Sequence, residues 1–477
     1  IAQCLVGSEM CIRDSNYIFL GSEYLFDNMI RYATDSAGVV RAQNYVLGIS
    51  VIGFLLFPCI NRYFNQKMRE IGLYLLPIAG IICIFVIQEH LSYRSMLLSG
   101  FLLYILYGMI GSAVHYYAVV SLSTEKGLAQ TVGFGYAFGL LLQFISNNLI
   151  HNSTVESVAL SVFLAAMVLL VRRLSLECSR GVVGAEASGT DSDTDIRKNN
   201  RRSLRHPMLA ALLLISIVVL MTCIFSSLDN AVTLVHAGGS VDIGQWPRLL
   251  LAVSGLLAGV LFDIKEHRFM QIMMYCVTLL STMCVVIIVW GGPFMAGLIV
   301  FYLSAGFFVV YFTTSFMDLS YYMKVPELWA GLGRATNNIC AGITGTISLM
   351  LIETGDGMHI SIIALILFAV ISMLVYLYMV QFRMDIQEEN MEKMLEKERE
   401  KFGEDKFQAF VKNYALTNRE QDVLRLLLSS DESVQVIAEQ LYISRAALYR
   451  YMASLNEKTE TKSRIGLLQF YYSWKQP

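Results

Sequence analysis

Five polar side chains interrupt long apolar stretches of the sequence, and their chemistry suits the binding of a small molecule. They are His115, Gln143, Asp229, Arg334 and Asn337. Because polar groups are costly within a membrane, each of them is a functional hypothesis. Arg334 and Asn337 are three residues apart, so they share a helix face that could bind an anion. The alternatives are ordinary hydrogen bonds between helices and, for Asp229 and Arg334, positions at helix ends that face water.

The sequence carries no motif that predicts catalysis. It has no Walker, Rossmann, metalloprotease or catalytic-triad spacing. The nine cysteines form no CxxC pair or Cys/His cluster, so neither a zinc site nor a disulfide framework is indicated. We therefore predict a protein that is not an enzyme and that needs no metal or cofactor.

The composition indicates a membrane protein. Of 477 residues, 55% are hydrophobic and only 16% are charged, and the mean hydropathy is +0.54. Eleven apolar segments between Tyr45 and Val380 are long enough to cross a bilayer. Residues 1–15 resemble translated sequencing-adaptor sequence and are set aside as artefactual. Residues 16–35 would then hold the remnant of a first helix, which makes twelve.

An internal repeat divides these segments into two halves. Apolar runs that start at Gly53 and Gly255 are each followed by a polar residue, Asn61 or Asp263, and then by a basic turn. We therefore predict one six-helix half over residues 16–171, a loop over 172–206, and a second half over 207–382. The basic residues are concentrated in alternate loops, which predicts that those loops and the C-terminus are cytoplasmic.

This layout resembles the major facilitator superfamily. Gly259, Asp263, Lys265 and Arg268 match the loop motif of that family, and the resemblance implies an all-α polytopic helical bundle. The first half departs from the motif, since Asn61 stands where the aspartate belongs. In that family the motif takes part in conformational switching, so the departure argues against a complete transport cycle.

After Val380 the sequence becomes charged and then resolves into a small helical domain. Residues 383–412 predict a helical linker, either a solvated connector or a short dimerising coiled coil. Thr417 and Glu420 have capping-box spacing. Two later serines, Ser433 and Ser444, are predicted helix caps. Four helices over residues 413–477, with a tight turn between the second and third, predict a helix-turn-helix.

The segment from "LTNRE" to the "SR" at 463–464 is similar to the LuxR-type DNA-binding domain, through "VLRLL", "IAEQL", "YIS", Leu455 and Lys458. The resemblance implies that the third helix enters the major groove of DNA. It places base contacts at Tyr449, Arg450 and Ala453. Candidate phosphate contacts are Arg445, Lys458, Lys462 and Arg464. Tyr449 and Tyr451 stand where the family usually has Lys and His, so the DNA sequence that is recognised should differ.

Two functions fit the whole chain. One is a membrane-tethered transcription regulator in the cytoplasmic (inner) membrane, which senses an unknown small molecule and binds promoter DNA. Its partners would be the lipid bilayer, a second copy through the C-terminal domain, and RNA polymerase. The other is a solute transporter with an appended regulatory domain. The altered motif at Asn61 and a lack of paired carboxylates within the membrane favour the regulator.

Overall fold

The computed structural model describes residues 2–122, 127–150, 152–187, 207–237, 246–264, 267, 269–354, 357–429 and 434–474. All the secondary structure in these ranges is helical, which confirms the predicted all-α class. The chain divides into two compact units, Ile1–Asp385 and Ile386–Pro477. We call them the membrane unit and the C-terminal unit.

Twelve long helices, six before and six after residues 188–206, begin in the membrane unit. They are α1 (Ala2–Ile30), α2 (Ser36–Tyr63), α3 (Gln66–Gln88), α4 (Tyr93–Ser121), α5 (Leu128–Leu149), α6 (Ser153–Ala187), α7 (Pro207–Ala237), α8 (Trp246–Phe262), α9 (Met270–Val289), α10 (Phe294–Ser320), α11 (Pro326–Thr354) and α12 (Gly357–Asn413). Within the described ranges, nine helices are long and apolar enough to cross a membrane, and α8 is a shorter apolar helix. The other two, α1 and α11, carry several charged residues.

Three helix boundaries differ from the predicted segments. Residues 2–15 form the first part of α1, where Cys11 and Ile12 are buried; their adaptor origin stays a prediction. Helix α2 begins nine residues before Tyr45, because Asp35 accepts a hydrogen bond from the Gly38 N–H and caps the helix. Helix α6 continues past residue 172 to Ala187, since no proline interrupts that stretch.

Two helix pairs join the halves of the membrane unit at glycines. In the first pair, α5 meets α8, and a Cβ added at Gly133 would lie 2.6 Å from the Cα of Gly259. In the second pair, α2 meets α11, and a Cβ at Gly342 would lie 3.0 Å from the Cα of Gly48. Such contacts require residues without a side chain, because the two backbones touch. They bring the polar residues of the two halves together in the centre of the bundle.

The C-terminal unit holds four short helices that pack around one apolar core. They are α13 (Asn418–Ser429), α14 (Val434–Gln440), α15 (Arg445–Lys458) and α16 (Arg464–Ser473). The apolar positions spaced three or four apart on these helices are the buried ones, including Leu424, Ile437, Leu448, Leu455 and Leu467, each at most 2% exposed. The predicted cap Ser433 lies outside the described residues, whereas Ser444 accepts a hydrogen bond from the Ala447 N–H and is confirmed as the cap of α15.

Candidate DNA-binding surface and membrane ligand site

A buried carboxylate, Glu420, fixes helix α15 against helix α13. The capping box is confirmed, since the Thr417 N–H donates to Glu420 Oε2 (2.7 Å) and the Glu420 N–H donates to Thr417 Oγ1 (3.4 Å). Ser454 Oγ and Lys458 Nζ, both on α15, also donate to this carboxylate at 2.6 and 2.7 Å. Burial raises the pKa of Glu420, but these hydrogen bonds outweigh burial and lower the pKa to about 2.

Helix α15 presents one face to solvent. Tyr449, Arg450 and Ala453 are all exposed on this face, and Leu448, Met452 and Leu455 are buried on the opposite one. The spacing of three and four residues explains both stripes. The three residues predicted to contact bases are therefore accessible together, on a helix whose other face is locked into the core.

The predicted phosphate contacts differ in their surroundings. Arg445 and Lys462 are exposed, and Arg464 is half-buried. Lys458 Nζ donates to Glu420 and to the Ala415 carbonyl oxygen (2.9 Å). The structure thus gives Lys458 a role in holding α13 and α15 together, because two of its three donors are used within the unit.

The turn between α14 and α15, the "YIS" segment, begins with a tyrosine in an unusual backbone conformation. Tyr442 has a φ of 56° and is 97% exposed. The Ile443 N–H reaches back to the Ala438 carbonyl oxygen at 3.0 Å, which is the six-to-one bond of a helix end whose last residue is left-handed. Glycine favours this conformation, so the tyrosine occupies it at some cost and projects its ring into solvent.

The last turns of α12 belong to the C-terminal unit. Phe407, Phe410 and Val411 are buried in the same core as the four short helices. Arg425 donates to both carboxylate oxygens of Glu404 at 2.9 and 2.8 Å. The linker predicted over 383–412 is helical, and in addition its C-terminal end supplies core residues. The spacing of Phe407 and Phe410, three residues apart on one helix, is the sequence feature that could have predicted these core residues.

In the membrane unit, two of the five predicted ligand residues lie at one cavity. His115 and Arg334 line a small cavity of ≈ 20 Å³ together with Asn16 and Phe19. Arg334 Nη2 donates to Asn16 Oδ1 (3.1 Å), and its guanidinium lies over the Phe19 ring at 5.4 Å. Nδ1 of His115 is buried and has no hydrogen-bond partner.

The other three predicted residues lie elsewhere. Asn337 accepts a hydrogen bond from Thr222 Oγ1 (3.3 Å), and Gln143 Nε2 donates to the Leu20 carbonyl oxygen (2.8 Å). These are bonds between helices, the alternative considered for them. Asp229 lies on α7 and interacts electrostatically with Glu23 and Arg248.

The sequence reading missed the charges around Asp229. Glu23 and Asp27 lie four residues apart on α1, and Arg248 is only 6% exposed in the first turn of α8. The expected lack of paired carboxylates in the membrane unit is therefore wrong. The reason is that residues 16–35 were treated as a damaged remnant, although the spacing of Glu23 and Asp27 places both on one helix face.

Sequence comparison identifies the smaller unit. Residues 414–471 match the family model described as "Bacterial regulatory proteins, luxR family". The C-terminal unit carries a LuxR-type helix-turn-helix domain. A domain of this family implies DNA binding, so DNA is a partner of this protein. No curated protein sequence matches the chain.

Structural comparison identifies the fold of the membrane unit. A POT family transporter in complex with 5-aminolevulinic acid superposes with a TM-score of 0.53 at 12% identity, over 79% of this chain and 95% of that one. A POT family transporter in complex with a thioalcohol-conjugated peptide gives 0.52 at 12% identity, over 80% and 96%. The xylose transporter XylE from E. coli gives 0.50 at 14% identity, over 80% and 96%. The membrane unit has the fold of major facilitator transporters, and the protein is a multi-pass membrane protein.

Proposed function

We propose that this protein is a transcriptional regulator tethered to the cytoplasmic (inner) membrane, whose membrane unit senses a small molecule and whose LuxR-type domain binds promoter DNA. The observation that carries the proposal is the exposed face of α15, with Tyr449, Arg450 and Ala453, in a chain whose first unit has a transporter fold. The concentration of basic residues in alternate loops supports a cytoplasmic C-terminus. We assign the protein no catalytic activity.

Sensing requires a ligand that binds one conformation of the membrane unit more tightly than another. Such a ligand shifts the population of the two conformations, and the helix α12 (Gly357–Asn413) leads from the membrane unit into the LuxR-type domain. The expected output is a change in dimerisation of the C-terminal unit or in its access to DNA. RNA polymerase is then the partner at the promoter.

The DNA-binding part is tested with Arg450→Ala in the full-length protein. Chromatin immunoprecipitation followed by sequencing identifies the occupied promoters, and occupancy of those promoters is then compared between variants. We expect Arg450→Ala to cost about 1–3 kcal/mol of specific binding, as for a residue that contacts a base edge. The matched control is Arg419→Ala, which removes an exposed arginine from α13. Unchanged occupancy for Arg450→Ala would refute the placement of α15 in the groove.

A transporter with an appended regulatory domain is the second candidate. It is favoured by the ionisable residues of α1, α7 and α8 that interact within the membrane unit, since ionisable residues inside a membrane commonly lie on substrate and ion pathways. The two functions are separated by deleting residues 413–477 and measuring both promoter occupancy and solute uptake. Uptake that survives the deletion would rule out a membrane unit that only senses.

A further inference from the structure

The charged residues in the core of the membrane unit form a group with both signs. Glu23 and Asp27 on α1 and Asp229 on α7 each interact electrostatically with Arg248 on α8. Glu23 Oε1 also accepts a hydrogen bond from Gln43 Nε2 at 2.5 Å. Three carboxyl groups thus interact with the Arg248 guanidinium. We call these four residues the core acid cluster.

Two atoms in the core acid cluster lack the hydrogen bonds that burial demands. Nε of Arg248 and Oδ1 of Asp27 are buried and have no partner, and the two residues are only 6% and 3% exposed. The hydroxyl of Tyr104, fully buried beside Glu23 and Asp27, is also without a partner. A buried polar atom without a hydrogen bond costs about 1–3 kcal/mol. Groups kept in this way are available to bind a ligand.

A positive group, Arg334 on α11, contacts α1 at a different level from Glu23. Arg334 binds Asn16 on α1, seven residues before Glu23, which corresponds to about 10 Å along the helix axis. Arg334 and Glu23 interact electrostatically. The polar cavity beside Arg334 includes His115, whose Nδ1 has no partner. The core of the membrane unit therefore presents an acidic end and a basic end along α1.

We propose that this site binds a small zwitterion, with its ammonium group at the core acid cluster and its anionic group at Arg334. The inference rests on the proposed sensing function and names the chemical class of the ligand. An ammonium group supplies up to three donors for the carboxylates, and a carboxylate pairs with a guanidinium through two parallel hydrogen bonds. The spacing along α1 limits the two ligand charges to a separation of about 10 Å or less.

The size of the cavity indicates how the site works. At ≈ 20 Å³ the cavity beside Arg334 has room for about one water molecule, so it is too small for an amino acid. A zwitterion therefore occupies a conformation in which the halves have moved apart around it. Binding to that conformation and not to the closed one is the differential affinity that a population shift requires.

The test uses the full-length protein purified in detergent, without DNA. Its melting temperature is measured with a matched set of probes: ω-amino acids of four to eight carbons, the corresponding alkylamines, and the corresponding carboxylic acids. We expect at least one ω-amino acid to raise the melting temperature in a saturable way, whereas the amine and the acid of the same chain length do not. Equal stabilisation by the amine alone would overturn the proposal, as would the failure of every ω-amino acid.

Variants locate the site. Glu23→Gln and Arg334→Gln should each weaken the stabilising probe roughly tenfold or more, because each removes one charged partner. Glu89→Gln, which neutralises an exposed acid after α3, should bind like wild type. Asp27→Asn serves where Glu23→Gln does not fold. Wild-type affinity in all these variants would place the ligand elsewhere and overturn the proposal.

The outcome is separable from that of the proposed function. Probe binding needs neither promoter nor cell, so its failure leaves DNA occupancy intact. Conversely, a protein that binds the zwitterion but occupies no promoter would refute the proposed regulatory function and still support the proposed ligand site. The two experiments therefore fail independently.

Discussion

The two repeat-related turns of the membrane unit, between α2 and α3 and between α8 and α9, have diverged. In the second turn, Asp263 reaches across to the other half, where its carboxylate accepts hydrogen bonds from the N–H groups of Ala129 (3.2 Å) and Gln130 (3.1 Å) at the start of α5. In the first turn, Asn61 Oδ1 accepts from Arg69 Nη1 (2.9 Å) within its own half. The carboxylate of the second turn therefore links the two halves, whereas the amide of the first turn makes a local contact.

The difference extends to the helices beside each turn. Near the second turn, α5 and α8 touch through Gly133 and Gly259. Helix α2 is joined to the other half further from its turn. There Asn44 Nδ2 donates to Asn230 Oδ1 on α7 (3.0 Å), and Asn338 Nδ2 on α11 donates to Ser50 Oγ (2.9 Å). A carboxylate cap thus closes the halves at the second turn, and neutral amides and hydroxyls close them along α2. Because a carboxylate is charged, its hydrogen bonds make the closure at the second turn the stronger of the two.

The largest effect is expected where the two backbones touch. Gly133→Ala places a methyl group 2.6 Å from the Cα of Gly259 and 2.7 Å from the Gly255 carbonyl oxygen, so the helices must separate at a cost of about 1–3 kcal/mol. The matched control is Gly72→Ala, also within a helix, where the methyl group meets nothing within 4 Å and alanine should be neutral or favourable. The measurement is the melting temperature of the purified protein. Equal melting temperatures for the two variants would contradict the close contact.

A smaller effect is expected from the cap itself. Asp263→Asn keeps the size of the side chain but removes its charge, and we expect a loss of about 1–2 kcal/mol. Hydrogen exchange of the amides of Ala129 and Gln130 should become faster. The control is Asn61→Asp in the first turn, which pairs with Arg69 near the surface and should change stability by less than about 0.5 kcal/mol. If Asn61→Asp proves the more damaging change, the two turns are not distinguished by their links between halves.

The sequence predicted the helical architecture of the membrane unit well, but it did not predict which charged residues interact inside the bundle. Hydropathy and the repeat at Gly53 and Gly255 were sufficient for the two halves, because each span must bury its backbone in a helix. Helix capping likewise placed Glu420 correctly. The core acid cluster was missed because residues 16–35 were treated as a remnant, and because Glu23 and Arg248, which interact electrostatically, belong to different halves. The ion pair of Lys458 with Glu420 was missed because it joins two different helices, and no local pattern predicts such a contact.

A further difference between the two turns concerns pH dependence. His267 Nε2 lies 2.9 Å from Asp263 Oδ1, and His267 Nδ1 lies 3.8 Å from Asp318 Oδ2. Burial lowers the pKa of His267, but the hydrogen bonds to Asp263 and Asp318 outweigh burial and raise the pKa to about 10. The folded protein therefore holds the proton more tightly than the unfolded chain, whose histidine titrates near 6.5. The stabilisation is full below about pH 6.5 and disappears as the pH rises through 10.

We therefore expect the melting temperature of wild type to fall between pH 7 and pH 10 by more than that of His267→Gln. Lysines and tyrosines titrate in both proteins, so the difference between the two curves isolates the histidine. The first turn has no counterpart in this comparison, because the Asn61 amide that replaces the carboxylate does not titrate and binds Arg69 at any of these pH values. Parallel curves for wild type and His267→Gln would show that the histidine does not support the cap, and the closure at the second turn would then rest on Asp263 and the glycines alone.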